Sequence, residues 1–231
     1  MKVRQITPSV FEVPLGIVNA FLVNHEELIL IDTGLEGSTH ELIQAIEQIG
    51  RVPGDLRHIL VTHCHADHAG GLAAIQKTCD ATTYMHPVDA AMVQQGRAKR
   101  PLTPAPGLLN QVLYKKFIAT SPDQIPPTSI DREINDGEVL DIAGGLHTLH
   151  VPGHCAGQLA FFWPQEGGVL FAADSASHMG WLQPMIAYED YQLGIRSLRK
   201  LTVYPFEVAC FGHGKAIEKR AVQQFRQKWL K

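Results

Sequence analysis

The sequence predicts an α/β protein, a four-layer αββα sandwich, because its two halves repeat one order of segments. Each half begins with apolar strand-like runs and then has a strand that ends at an aspartate. An amphipathic helix follows, and a further strand leads to a histidine. Two sheets packed face to face between helices accommodate such a repeat, so we expect a single domain over residues 1–231.

The first half opens with a predicted hairpin, NAFLVNHEELILIDTG, whose second strand ends at Asp32. Ser38, with Glu41 three residues later, forms a capping-box pattern and predicts the start of a helix that Gly50 ends. The next strand, helix and strand are predicted in HILVTH, LAAIQKTC and ATTYMH.

Residues 87–128 change in character and predict an inserted helical lid rather than a second domain. VDAAMVQQGRAKR and LLNQVLYKKF have helical patterns, but prolines interrupt them and close the segment.

The second half repeats the pattern of the first and ends with a basic helix. Strands are predicted in INDGEVLDI and GLHTLHVPGH, and the hairpin QLAFFWPQEGGVLFAADS ends, like the first hairpin, at an aspartate. The remaining segments are predicted as helix, strand and helix: DYQLGIRSLRKL, EVACFGHG and KAIEKRAVQQFRQKWLK.

Composition and charge argue against several classes of protein. Apolar residues make up 45% of the chain and charged residues 19%, a balance typical of soluble globular proteins. The net charge of −3 gives no basic surface for nucleic acid, and no apolar run reaches the length of a membrane span. The N-terminus lacks a secretion signal, and four cysteines do not form a disulfide framework. We therefore expect a cytoplasmic protein whose partners are neither nucleic acid nor membrane.

The segment VTHCHADHAGG contains four candidate metal ligands within a span of six residues. His63 and His65 are two residues apart at the end of an apolar strand, so their side chains can point the same way. Asp67 and His68 follow where the chain leaves the strand. A mixture of imidazole and carboxylate ligands suits zinc, and manganese or iron would also fit.

The four cysteines are not expected to act as nucleophiles. Alternation along the strand turns Cys64 away from its neighbouring ligands, and Cys155 could line the pocket but is better explained as a buried thiol. Cys79 and Cys210 have the surroundings of core residues.

The run THCHADHAGG resembles the H-x-H-x-D-H signature of the metallo-β-lactamase superfamily, and the resemblance continues across essentially the whole chain. The later segments VPGHCAG, LFAADS and FGHG resemble three ligand loops of that superfamily. These loops add three expected ligands: His154, Asp174 and His213. The resemblance also implies that Asp32 supports the ligand loop without itself binding a metal.

The resemblance implies two divalent metal ions, with zinc as the first candidate and manganese or iron as alternatives. The implied ligands are His63, His65 and His154 for the first ion, Asp67, His68 and His213 for the second, and Asp174 as a bridge. Two such ions about 3.5–4 Å apart can share a hydroxide that attacks a carbonyl or phosphoryl centre. Asp67 or a metal-bound water could then protonate the leaving group.

Departures from the pattern narrow the expected activity. True β-lactamases of the superfamily generally lack the bridging aspartate, so Asp174 counts against that activity. Only 18 residues follow His213, which weakens an assignment to glyoxalase II, and Ser175 and Ser177 follow the aspartate where many lactonases have a tyrosine. We expect a hydrolase of a small-molecule ester, thioester or lactone.

Two alternatives remain open. One is a mononuclear iron enzyme of the sulfur (persulfide) dioxygenase type, with His63, His154 and Asp174 as its ligands. The other is a non-catalytic metal-binding protein, against which the complete ligand set counts.

A substrate pocket is expected between the lid and the loop after Asp174, with Tyr114, Phe117 and Trp181 among its apolar residues. These residues could instead pack the lid onto the sandwich. His178, four residues after Asp174, could reach the site, and the exposed surface of the lid could mediate a homodimer.

Overall fold

Two sheets face each other in the computed structural model, which describes residues 2–230. The strands of the seven-stranded sheet are, in spatial order, β1 Arg4–Gln5, β2 Val10–Leu15, β3 Val18–Asn24, β4 Leu28–Ile31, β5 Leu56–Leu60, β6 Thr82–Met85 and β8 Arg132–Glu133. Those of the five-stranded sheet are β16 Val208–Cys210, β12 Val169–Phe171, β11 Leu159–Trp163, β10 Leu146–His150 and β9 Val139–Leu140. Two short ribbons pair β13 Ala176–His178 with β14 Leu182–Pro184, and β7 Thr103–Pro104 with β15 Ala187–Tyr188.

Parallel pairs bring the segments that follow the strands to one edge of each sheet. In the seven-stranded sheet β4 runs parallel to β5, with Ile31 opposite Leu60. In the five-stranded sheet β12 runs parallel to β16, with Phe171 opposite Cys210. Ligands at the carboxyl ends of such strands lie close together, which is the usual position of sites in sheets of this kind.

Helices cover the outer face of each sheet. The α-helices of the described residues are α1 Thr39–Gln48, α2 Ala66–Ala69, α3 Leu72–Thr78, α4 Pro87–Gln94, α5 Leu108–Leu113, α6 Tyr191–Leu201 and α7 Ala221–Trp229. Among residues 2–230, no helix combines the length and the apolar character that crossing a membrane requires.

Three large apolar cores separate the four layers. Strand β4 is buried on both faces, so Leu30 packs towards α1 while Ile29 and Ile31 pack between the sheets. The third core lies between the five-stranded sheet and the pair of α6 and α7. The predicted αββα sandwich is therefore confirmed.

Three local predictions were wrong at their ends. Ser38 precedes α1, but its backbone is already helical and its side chain caps nothing, so no capping box forms. The helix predicted over VDAAMVQQGRAKR ends at Gln94, because Gly96 turns the chain with a φ of +70°. The terminal helix begins only at Ala221, because Ile217 pairs with Ala209 beside the five-stranded sheet.

Residues 87–128 contain α4, β7, α5 and a π-helical turn at Tyr114–Ile118. Helix α5 has no buried residue, and Leu108 is 81% exposed. Leu108 and Leu109, both of which are exposed, therefore do not pack the segment onto the sandwich. Its role as a lid stays a prediction.

Truncation of Phe171 tests the packing between the sheets. Its ring is 1% exposed and lies 5.6 Å from the ring of Phe21 on the facing sheet, measured between centroids. We expect Phe171→Ala to lower the free energy of unfolding in urea by about 3–5 kcal/mol, because it leaves a cavity. The control Val203→Ala removes a side chain that is 71% exposed and should cost less than about 0.5 kcal/mol. Equal losses for the two variants would contradict this account of the core.

Candidate metal centre

The loop after β5 contributes four side chains to one cluster. His63 and His65 follow the strand directly, and Asp67 and His68 lie in the single turn of α2, which begins as the amide of His68 bonds to the carbonyl of His65. His63 and His68 are fully buried, whereas the carboxylate of Asp67 is 25% exposed. Asp67 therefore lies on the solvent side of the cluster.

The second half of the chain contributes three more side chains through tight turns. His154 follows Gly153, where a Cβ atom would lie 2.3 Å from the Cα atom of Gly194. Asp174 lies in a short turn after Ala173, whose φ of +48° is left-handed. Such turns require small residues or local strain, and here they direct ligands towards the cluster.

Two groups of ligand atoms form where these loops meet. Nδ1 of His65 lies 3.1 Å from Nε2 of His63 and 3.0 Å from Nε2 of His154. Nε2 of His213 lies 3.4 Å from Oδ2 of Asp67, which is 3.9 Å from Nε2 of His68. Each group of three atoms fits within 4.8 Å, the spacing of ligands that share one ion.

Asp174 lies between the two groups. One carboxylate oxygen is 3.5 Å from Nε2 of His154 and 3.2 Å from Nε2 of His213, and the other is 3.5 Å from Nε2 of His68. The carboxylate thus contacts a histidine of the first group and two of the second.

Hydrogen bonds on the far side of four rings fix their orientation. Nδ1 of His68 donates to Asp32, Nδ1 of His154 to the carbonyl of Ala187, and Nδ1 of His213 to the carbonyl of Ile17. Nδ1 of His63 donates to the hydroxyl of Thr62, which itself donates to Asp32. These bonds assign the Nδ1–H tautomer to the neutral rings and leave Nε2 free for a ligand.

Divalent cations fit this arrangement. Ring nitrogens of His63 and His154 both face Nδ1 of His65, at 3.1 and 3.0 Å, so one proton there can serve only one of them. Nε2 of His68 and Oδ1 of Asp174 are buried without hydrogen-bond partners. Such contacts are costly unless a cation lies between the lone pairs. Ligands 2.0–2.1 Å from a tetrahedral zinc lie about 3.3 Å apart, close to the separations found here.

Burial and charge divide the histidines into two sets. Burial lowers the pKa of His63 and His154, and it lowers that of His65 to about 3, so these rings are neutral. Burial acts in the same direction on His68 and His213, but Asp174 outweighs it, raising the pKa of His68 well above its usual value and that of His213 to about 10. In the metal-free chain the second group therefore holds protons.

The carboxylates respond in the opposite direction. Burial opposes ionisation of Asp174, but His213 and His68 outweigh it and hold its pKa well below the usual value. Burial is likewise overcome at Asp67, chiefly by His68, and its pKa is also lowered. Both acids are therefore ionised at neutral pH.

The four expected pocket residues lie apart from the cluster contacts. Nδ1 of His178 bonds to the carbonyl of Lys215, and the hydroxyl of Tyr114 donates to the carbonyl of Leu102. The rings of Phe117 and Trp181 are exposed. Their part in substrate binding stays a prediction.

Sequence analysis missed the groups that orient the ligands through the backbone. The carbonyls of Ile17 and Ala187 have no side-chain signature, so no motif indicates them. Gly212 was visible only as part of FGHG, yet a Cβ there would lie 2.3 Å from Oδ1 of Asp174 and 2.7 Å from Cε1 of His68.

The family of the chain follows from its similarity to known proteins. The sequence profile of the metallo-β-lactamase superfamily matches residues 13–213. This chain belongs to that superfamily. The fold is similar to the solved structure of a variant of a Cronobacter sakazakii metallo-β-lactamase with a HARLDQ motif. The match has a TM-score of 0.73 at 23% sequence identity and covers 93% of this chain and 79% of that chain. At that identity the likeness shows the fold alone.

Two relatives in the superfamily are named for hydrolysis. The chain is 29% identical over 231 residues to the probable metallo-hydrolase YqjP of Bacillus subtilis, a match that covers 91% of this chain and 70% of that protein. It is 31% identical over 121 residues to the hydroxyacylglutathione hydrolase of Pseudomonas aeruginosa, which covers 52% of this chain and 33% of that enzyme. At the level of class, these matches support a metal-dependent hydrolase.

The pH dependence of metal affinity tests the proton assignment. An ion at the second group must displace protons from His68 and His213, whose pKa values are raised, the latter to about 10. Zinc affinity should therefore keep rising with pH from about 7 to about 9, whereas histidines with a pKa of about 6.5 would give a plateau. Competition titrations with a chelator at several pH values measure this. A plateau above about pH 7.5 would contradict the assignment.

Gly212→Ala tests the close approach of backbone to ligands. The added Cβ must displace Asp174 or His68, so zinc affinity should fall by about 10–100-fold while the circular dichroism spectrum is retained. Gly54→Ala is the matched control, because no atom lies within 4 Å of its added Cβ. Unchanged zinc affinity in Gly212→Ala would show that the ligands do not need this spacing.

Proposed function

We propose that this chain is a metal-dependent hydrolase of a small-molecule ester, thioester or lactone, and that it binds two divalent ions. One observation carries the proposal: two separate groups of inward-facing ligand atoms are joined by the carboxylate of Asp174. A single ion would leave one group of buried ligands without a partner.

Donor chemistry supports the assignment of ligands to two positions. His63, His65 and His154 are neutral and offer three nitrogens, as catalytic zinc sites often do. The second group combines a carboxylate, Asp67, with His68 and His213. The negative charges of Asp67 and Asp174 would offset part of the charge of two cations.

Bound divalent ions would supply a water of lowered pKa and would polarise the carbonyl of the substrate. The chain itself holds the ligand rings in fixed tautomers through Asp32, Ala187 and Ile17. Asp67 combines partial exposure with contact to His213, so its carboxylate is placed to receive a proton and pass it to the leaving group. We propose that proton transfer as its catalytic role.

Substrate selection is proposed for residues 87–128 and the loop after Asp174. Strand β7 of the first segment pairs with β15 of the second, so the two segments are joined. Leu108, Leu109 and Trp181 are exposed apolar side chains of these segments. They favour a substrate with an apolar portion, for which contact with them would bury surface.

Metal content and a substrate panel test the proposal together. Mass spectrometry of protein purified without added metal should find about two zinc or manganese ions per chain, and hydrolysis of an ester, thioester or lactone should follow the metal content. About one iron with oxygen-dependent turnover of a persulfide would favour the dioxygenase alternative. A purified protein that contains no metal and takes up none on titration would contradict the proposal. Hydrolysis rates that do not change with the length of the acyl chain would contradict the proposed apolar pocket.

Asp67→Asn tests the proton transfer. The amide keeps the size of the side chain but cannot exchange the proton, so kcat should fall by about 100-fold or more. Metal content should be measured in the same sample, because the carboxylate is also a proposed ligand. Asp80→Asn is the control, since Asp80 is exposed and lies outside the cluster, and its kcat should be unchanged. Full activity in Asp67→Asn would exclude this role.

A further inference from the structure

Two cysteines that are sequence neighbours of the first group of ligands contact each other through their side chains. Cys64 lies between His63 and His65, and Cys155 follows His154. The two Sγ atoms are 3.6 Å apart, both side chains are fully buried, and both thiols are free. The two loops therefore meet through a pair of sulfur atoms on the side away from the ligand nitrogens.

A buried carboxylate holds this pair in place. Oδ2 of Asp89 accepts from the thiol of Cys155 at 3.0 Å and from the amide of Cys64 at 3.1 Å. Oδ1 accepts from the amide of Gly157 at 3.1 Å and from Nη1 of Arg100 at 2.8 Å. The carboxylate can thus take up the proton of the Cys155 thiol without moving.

The position of Arg100 favours chemistry at sulfur over the binding of a further metal ion by Cys64, Asp89 and Cys155. Its Nη1 lies 3.5 Å from the sulfur of Cys155 as well as against Asp89, so a positive charge already occupies the place a third metal ion would need. The same charge stabilises a thiolate, which favours chemistry at sulfur over binding of a cation.

Arg100 also lines a cavity next to residues 87–128. The cavity has a volume of about 350 Å³ and is bounded by Lys99, Arg100, Leu102 and Tyr114, among others. Arg100 is therefore shared between the cavity wall and the contact with Cys155.

We propose that Cys64 and Cys155 are a reversible redox site in which hydrogen peroxide converts the two thiols to a disulfide. Cys155 attacks one peroxide oxygen while Asp89 receives the thiol proton; an S–O bond forms, the O–O bond breaks, and the leaving hydroxide takes that proton from Asp89 to give water. Cys64 then attacks the sulfur of the sulfenic acid; the S–S bond forms, the S–O bond breaks, and the hydroxide that leaves takes the proton of the Cys64 thiol to give a second water. The thiols lose two electrons and the peroxide gains them.

Disulfide formation would disturb the ligands on the other side of the loops. The sulfur atoms must close from 3.6 Å to about 2.05 Å, whereas metal ligands tolerate displacements of about 0.2 Å. Oxidation should therefore weaken metal binding by His63, His65 and His154. This consequence rests on the proposed function, but formation of the disulfide does not.

Peptide mapping of the full chain tests the disulfide itself. Metal-free and zinc-loaded protein are treated with hydrogen peroxide, free thiols are alkylated, and tryptic peptides are weighed by mass spectrometry. Cys64 and Cys155 fall in separate peptides, 58–77 and 133–196, so a disulfide joins them with the loss of two hydrogen atoms. We expect this product, its reversal by dithiothreitol, and a fall in zinc affinity of at least about 10-fold in the oxidised chain.

Variants separate this pair from the other buried thiols. Cys155→Ser and, independently, Cys64→Ala should abolish the joined peptide, whereas the matched control with Cys79→Ser and Cys210→Ser should retain it. Recovery of both cysteines as alkylated thiols or as separate sulfinic acids in the wild type would overturn the proposal. An oxidised chain that binds zinc as tightly as the reduced one would overturn the coupling between the disulfide and the metal ligands. Absence of zinc binding in the reduced chain would refute the proposed function, while the joined peptide would still support the redox site.

Discussion

The buried carboxylate of Asp32 is the interaction on which the ligand loop depends. It accepts hydrogen bonds from the amide and the hydroxyl of Thr62 and from Nδ1 of His68. Its own φ of +62° ends β4 at this point, and Thr33 then bonds to the carbonyl of His68. One residue thus joins the end of β4 to both ends of the ligand loop, and its removal would leave several buried donors unsatisfied.

Burial of the ring nitrogens and carboxylates of the cluster is electrostatically unfavourable, and contacts with the rest of the fold must offset this. Burial favours neutral rings at His63, His65 and His154, and their ring nitrogens converge within 3.1 Å of Nδ1 of His65. Asp174 and the raised pKa values of His68 and His213 provide partial compensation in the metal-free chain. Because the rings are held by bonds on their far sides, cations can bind without reorganising the ligands.

The sandwich could be predicted because continuous apolar runs define strands that are buried on two faces. The motif H-x-H-x-D-H likewise brings four ligands together within one loop. The other three ligands were expected only from the resemblance to the superfamily. The remaining features depend on contacts between distant segments. The carbonyl of Ile17 meets His213 across 196 residues, and Cys64 meets Cys155 across 91, so no local pattern indicates them. The capping box at Ser38 failed because the helical conformation of that residue turns its hydroxyl away from the helix amides.

The segment 87–128 is mechanically connected to the first group of ligands. Strand β7 pairs with β15, and the carbonyl of Ala187 in β15 orients His154, while Tyr188 packs edge-on against the same ring. Arg100 makes a second connection, because it bonds to Glu189 and contacts Cys155. A change in how this segment contacts a substrate would therefore be transmitted to His154 through backbone pairing. If residues 87–128 select the substrate as proposed, substrate selection and the position of His154 depend on the same pair of strands, β7 and β15.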